Sequence, residues 1–167
     1  MNLNYSKLSK MQAELDEYIG KSKGINMADY KLERIIALQV EFNELLNEVP
    51  FLFKYWSSKK MDREKALEEY CDCLHFLLSI GNDIGIKGYE YQRKEHDLKT
   101  VIDMRILVLG INNMISRTYA GDAENEYKEL LDHFLLFGEK LGFHKNEIIT
   151  HYELKHAENY SRQANGY

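Results

Sequence analysis

Pro50 is the only proline in a chain of 167 residues. On either side of it every residue keeps the backbone donor that a helix requires, so little in the sequence forces a helix to stop. Apolar residues recur at three- and four-residue intervals: Leu8, Met11, Leu15, Tyr18 and Ile19 in one run, and Leu32, Ile35, Ile36, Leu38, Phe42, Leu45 and Leu46 in the next. Each set makes a stripe along one side of a helix. With ten glycines against abundant Leu, Glu, Lys, Met and Tyr, the composition favours helix as well. The fold class read from this pattern is all-α, a helical bundle of about six helices with short loops.

The predicted helices cover residues 3–19, ending near Gly20; 29–49, capped by Asp29 and ended by Pro50; and 62–83, capped by Asp62, with Gly81, Gly85 and Gly88 at its exit. After these come 97–119, then 123–141 following a loop around Gly121, and the polar segment 145–163. There is no repeat, low-complexity tract or linker, which leaves residues 1–167 as a single domain. Residues 101–109 are apolar on more than one side. A helix of that kind is buried twice, by its own core and by a partner chain, so a homodimer is expected.

The net charge of −5 argues against direct nucleic-acid binding, which needs a basic surface. A small polyanion is acceptable only if a cation comes with it. Cys71 and Cys73 stand two positions apart on a predicted helix and are poorly placed to bridge each other, which suits a reducing compartment. With no signal-like segment and no apolar run of about 18 residues, the expectation is a cytoplasmic protein with no membrane association.

Glu41 and Glu44 are three positions apart on the second helix, with Glu48 four further on, and Glu69 and Asp72 repeat the three-residue spacing on the third. Antiparallel packing of the two helices would converge four to five carboxylates. Such a cluster either takes up protons or binds a divalent cation, and Mg²⁺ is the hard, oxygen-seeking ion that also bridges to phosphates. A single acidic pair at helical spacing is most often a solvated face. These pairs, however, lie beside Val40, Phe42 and Leu45 and within EEYCDCLHFLLSIG, at the margin of a core. Lys155, Asn159 and Arg162 follow four-and-three spacing on the last helix with Gln163 adjacent, a row of donors suited to phosphate oxygens.

The Glu-x-x-Glu and Glu-x-x-Asp pairs resemble those of the all-α NTP pyrophosphatases, which include MazG-like proteins and the dimeric dUTPases. NELLNEVPFLFKYWS, LEEYCDCLHFLLSIG and KHAENYSRQANGY occur in the order of the corresponding dimeric dUTPase blocks. The chain is therefore similar to that branch over most of its length. The resemblance implies hydrolysis of dUTP to dUMP and pyrophosphate, keeping uracil out of DNA, with dUDP as a further substrate. It implies two or more Mg²⁺ ions, with Mn²⁺ as a substitute, held by Glu41, Glu44, Glu69 and Asp72. It also implies that a glutamate, here Glu41, orients or deprotonates a water attacking the β-phosphorus. Gln12, in KMQAELDEYI, matches the family's opening helix, and its amide suits the uracil edge. Trp56 offers a ring to stack on a base, while Asn82 and His75 are further candidates on the third helix. The chain departs from the family pattern in EVPFLFKYWS, where a longer arginine- or cysteine-containing phrase is frequent.

Other readings compete. One is a MazG-like enzyme for another nucleotide. Another is a carboxylate-bridged di-iron bundle, for which Asp72/His75 and Glu153/His156 have the acid-x-x-His spacing. The third is a non-catalytic helical protein that dimerises through its fourth helix.

Overall fold

Six α-helices make up the described part of the computed structural model, which comprises residues 3–91, 100–119 and 123–166 and contains no strand among them. Asn4 accepts the Lys7 N–H and starts α1, Tyr5–Lys23. The helix runs through Gly20 and ends at Gly24, whose φ of 65° is the left-handed conformation that closes helices. The sequence suggested an end at Gly20. Instead, the missing Cβ of Gly20 lets the following loop fold back against it, with the Ile25 carbonyl oxygen 3.1 Å from where that atom would stand.

A turn at Met27–Tyr30, capped by Asn26 rather than by Asp29, precedes α2, Lys31–Glu48. Pro50 opens a second short turn, Pro50–Leu52. Asp62 caps α3, Arg63–Asp83, by accepting the Lys65 N–H, as its sequence position suggested. Gly81 lies inside that helix, where a side chain would meet the Tyr5 and Tyr127 hydroxyls. Thr100 and Asp103 form a reciprocal cap at the start of α4, Val101–Arg117. The expected start at Asp97 and the loop at Gly121 lie outside the described residues. α5, Ala123–Lys140, and α6, Lys145–Ala164, complete the chain.

α3 is the axis of the bundle: α1, α2, α5 and α6 all pack on it, which is why it is buried on nearly every side, while α4 lies across α2 and α5. Large aromatics fill the centre. Tyr70 stacks on Phe134 at 4.3 Å and lies across Gly138, where an added Cβ would be 2.6 Å from the ring. Tyr127 and Tyr152 are fully buried, and their hydroxyls donate to the Leu77 carbonyl at 2.8 Å and to Gln12 Oε1 at 2.9 Å. Satisfying these polar tips is what makes the burial of the rings favourable.

On α4 the inner residues Met104 and Leu107 are buried, while Ile106 and Leu109 remain 64% and 70% exposed, and Ile36 and Val40 of α2 are exposed as well. No helix among the described residues is long and apolar enough to cross a membrane. Cys71 and Cys73 are both free and buried.

Candidate active site

Arg34 of α2 reaches Ser79 and Asp83 of α3, and the Asp62 N–H donates to the Glu48 carbonyl, so α2 and α3 run antiparallel. That pairing carries Glu41 to Glu69 and Asp72. One carboxylate oxygen from each of the three lies within 4.8 Å of the others. All three residues are half-buried.

Burial, followed by the charges of Asp72, Glu44 and Glu69, pushes the Glu41 carboxyl up to about 7. Glu69 is raised by burial and then by Asp72 and Glu44. Asp72 is raised by burial despite an ion pair with Lys155. Glu44 lies outside the trio and is exposed, yet close enough for its charge to act on two of its members. Glu48 turns aside to Lys59 at 3.3 Å.

A cleft of about 280 Å³ runs from Glu41 and Asp72 along α3 to Ser79, with α1 and α6 as walls. Lys155, Asn159, Arg162 and Gln163 all line it. Lys155 lies 2.9 Å from Asp72 and 3.0 Å from Glu68. Burial works against its charge, but the hydrogen bonds it donates to Asp72 and Glu68 outweigh burial and hold the ammonium above its ordinary range.

Gln12 lines the cleft opposite His75. Its Oε1 accepts from the Tyr152 hydroxyl and lies 2.7 Å from His75 Nδ1, while its Nε2 donates to Asp16 at 2.8 Å. The same arrangement fixes the imidazole: Nδ1 carries the proton and Nε2 is a buried acceptor with no protein partner. Burial, then the charges of His156 and Lys155, push His75 down to about 3, so the ring is neutral.

Asn82 does not line the cleft. It accepts from the Ser9 hydroxyl at 2.6 Å and donates to the Ser9 carbonyl at 2.9 Å. Trp56 also lies outside the lining, 68% exposed and edge-on to Tyr55 at 4.9 Å. Glu153 pairs with Lys7, and His156 faces the Met11 carbonyl at 2.9 Å. The second acid-x-x-His pair of an iron-bundle reading is thus directed away from the carboxylate trio.

Sequence reasoning missed the far end of the cleft, formed by Asp16, Arg34 and Ser79. Asp16 accepts from the Ser79 hydroxyl at 2.6 Å, and its carboxyl is raised by burial against the opposing hydrogen bonds of Ser79 and Gln12. The available signals were that Asp16 follows Gln12 by four positions, on one helix face, and that Arg34 precedes Leu38 by four positions, on the apolar stripe of α2.

All this belongs to a helical scaffold that gathers oxygen ligands at one end of a cleft and donors beside them. Searches of curated proteins and of solved structures each returned no significant match. A family model described as dUTPase matches residues 4–167, nearly the whole chain. The chain therefore belongs to the all-α, dimeric dUTPase family, whose activity is that of a dUTP diphosphatase.

Proposed function

We propose that this chain hydrolyses dUTP to dUMP and pyrophosphate in a Mg²⁺-dependent reaction, with dUDP as a second substrate and Mn²⁺ as a working substitute. The observation that carries the metal is the trio of Glu41, Glu69 and Asp72, all raised by burial and the two glutamates also by neighbouring carboxylates, with Glu41 and Asp72 lining one end of the cleft. An all-oxygen, carboxylate donor set suits Mg²⁺. Glu44, one turn from Glu41, completes the ligand set in this reading, which provides for two or more ions. When bound there, the cation neutralises phosphate charge and lowers the pKa of water.

The chain's own groups do the remainder. Glu41 accepts the hydrogen bond of the attacking water and takes its proton, and the attack falls on the β-phosphorus. Lys155, Asn159, Arg162 and Gln163 present donors along α6 to the phosphate oxygens. Gln12 has one N–H left after its bond to Asp16, and this donates to a uracil carbonyl. Asn82 supports the base end through Ser9, whereas Trp56, between Glu48 and Asp62 at the other end of the α2–α3 pair, has no contact with the base in this reading.

The exposed Ile106 and Leu109 of α4, together with the exposed Ile36 and Val40 of α2, support a homodimer. Free, buried Cys71 and Cys73 support a reducing, cytoplasmic setting. Leu109→Glu should yield a monomer by light scattering, and an unchanged dimer mass would remove this face from the interface.

The deciding experiment is nucleotide hydrolysis followed chromatographically for dUTP, dUDP, dTTP, dCTP and UTP, with MgCl₂ and with chelator. dUTP should be the best substrate, and chelator should stop the reaction. Undiminished turnover in chelator would end the metal reading, and preference for another nucleotide would favour the MazG-like alternative. In ¹⁸O-water the label should appear in pyrophosphate, as attack at the β-phosphorus requires. Label in dUMP would place the attack at the α-phosphorus.

A further inference from the structure

Lys155 is bound to the metal centre's own carboxylate. Its side chain is 13% exposed, and its Nζ lies 2.9 Å from Asp72 Oδ2, 3.0 Å from Glu68 and 3.9 Å from Glu158. Asp72 belongs to the trio, whereas Glu68 and Glu158 do not. An ammonium and a dication on the same carboxylate would repel each other at a few ångströms, where solvent screens them only in part. The two positive charges therefore compete for Asp72.

We propose that Lys155 is a built-in counter-ion of the metal centre, holding Asp72 in the metal-free chain and yielding that carboxylate when a divalent cation binds. This rests on the metal centre proposed above. Glu68 and Glu158, on the outer side, keep the ammonium at the rim once it leaves Asp72. The affinity for free cation is consequently lower than the trio alone would give. The metal-free protein, in exchange, does not carry its acidic cluster without a cation beside it. Lys155 is then a positioning residue as well as a donor toward phosphate.

The test uses Mn²⁺ binding to the full chain without nucleotide, read from the free-ion electron paramagnetic resonance signal. Lys155→Met and Lys155→Gln should bind Mn²⁺ about tenfold more tightly than the unmodified protein, the size set by one unit charge near a dication under partial screening. Lys155→Arg, which keeps the charge, should bind no more tightly than the unmodified protein. Neutral variants with unchanged or weaker affinity would overturn the counter-ion role, as would Lys155→Arg tightening to the same degree. If the unmodified protein itself fails to bind Mn²⁺, the metal centre falls and this inference with it.

A second measurement needs no neutral variant. The lysine ammonium resonance of the unmodified protein, assigned by its loss in Lys155→Arg, should shift or vanish on saturation with Mg²⁺. A resonance unmoved by Mg²⁺ in a protein that binds Mn²⁺ would overturn the proposal.

Discussion

The same two helices carry two charge clusters that have been resolved in opposite ways. Near the start of α2, Arg34 is buried and its guanidinium takes Asp83, the Ser79 hydroxyl and the Met27 carbonyl, so the buried cation is matched within the protein. Two turns further on, Glu41 meets Glu69 and Asp72, and like charges face one another with Lys155 at one edge. The first arrangement is complete without a ligand, and its cost of burial is offset by its own partners. The second has a charge imbalance that the fold maintains, which is the mark of a site built for something that arrives from outside.

Breaking each cluster should reveal the difference. Glu69→Gln should lower dUTP hydrolysis by about a thousandfold, roughly 4 kcal/mol of barrier, while leaving the melting temperature in chelator unchanged or higher, since a repulsive charge is removed. A loss of stability with activity retained would mean the trio is structural.

Arg34→Met should do the reverse, destabilising the fold by about 3–5 kcal/mol in urea unfolding because Asp83 and Asp16 lose their cation. Adding Asp83→Asn should recover part of that loss. If Arg34→Met costs nothing measurable, the first cluster is not the completed ion pair described here.

The smallest effect is in pH. Glu41 has a folded value of about 7 against an ordinary 4.5. Its contribution to stability is therefore full below about 4.5 and is lost as pH rises through about 7. His75 acts oppositely. Its folded value of about 3 lies below the ordinary 6.5, so its contribution is full above about 6.5 and is lost as pH falls toward 3. In chelator, Glu41→Gln should therefore flatten the fall in melting temperature between about pH 5 and pH 7.5 and leave the acid-side fall in place. An unchanged profile would show that Glu41 is not held above its ordinary range.

Much of this was legible from residues alone. The spacing of Leu8 to Ile19 and of Leu32 to Leu46 predicted α1 and α2, Asp62 announced the start of α3, and the acidic pairs on neighbouring helices pointed to a shared site. The row of Lys155, Asn159, Arg162 and Gln163 does line the cleft with Gln12. Other features were hidden. Glu48 looked like a fifth acid of the cluster, but it turns to Lys59. Asn82 looked like a group facing the site, but it is held by Ser9. In both cases the competing partner lies on a segment whose approach no periodicity predicts.

The sequence by itself determined the helices, their inward stripes and the faces on which acids and donors stand, because spacings of three and four residues fix direction around a single helix. Only the tertiary structure decided which of those faces meet: that Glu41 joins Glu69 and Asp72 while Glu44 stays outside, that Lys155 rests on Asp72, and that Gln12 orients His75. These are contacts between residues far apart in the chain, Lys155 and Asp72 most of all. Their geometry depends on how large side chains such as Tyr70, Tyr127 and Tyr152 pack between helices, and a local pattern carries no record of that packing.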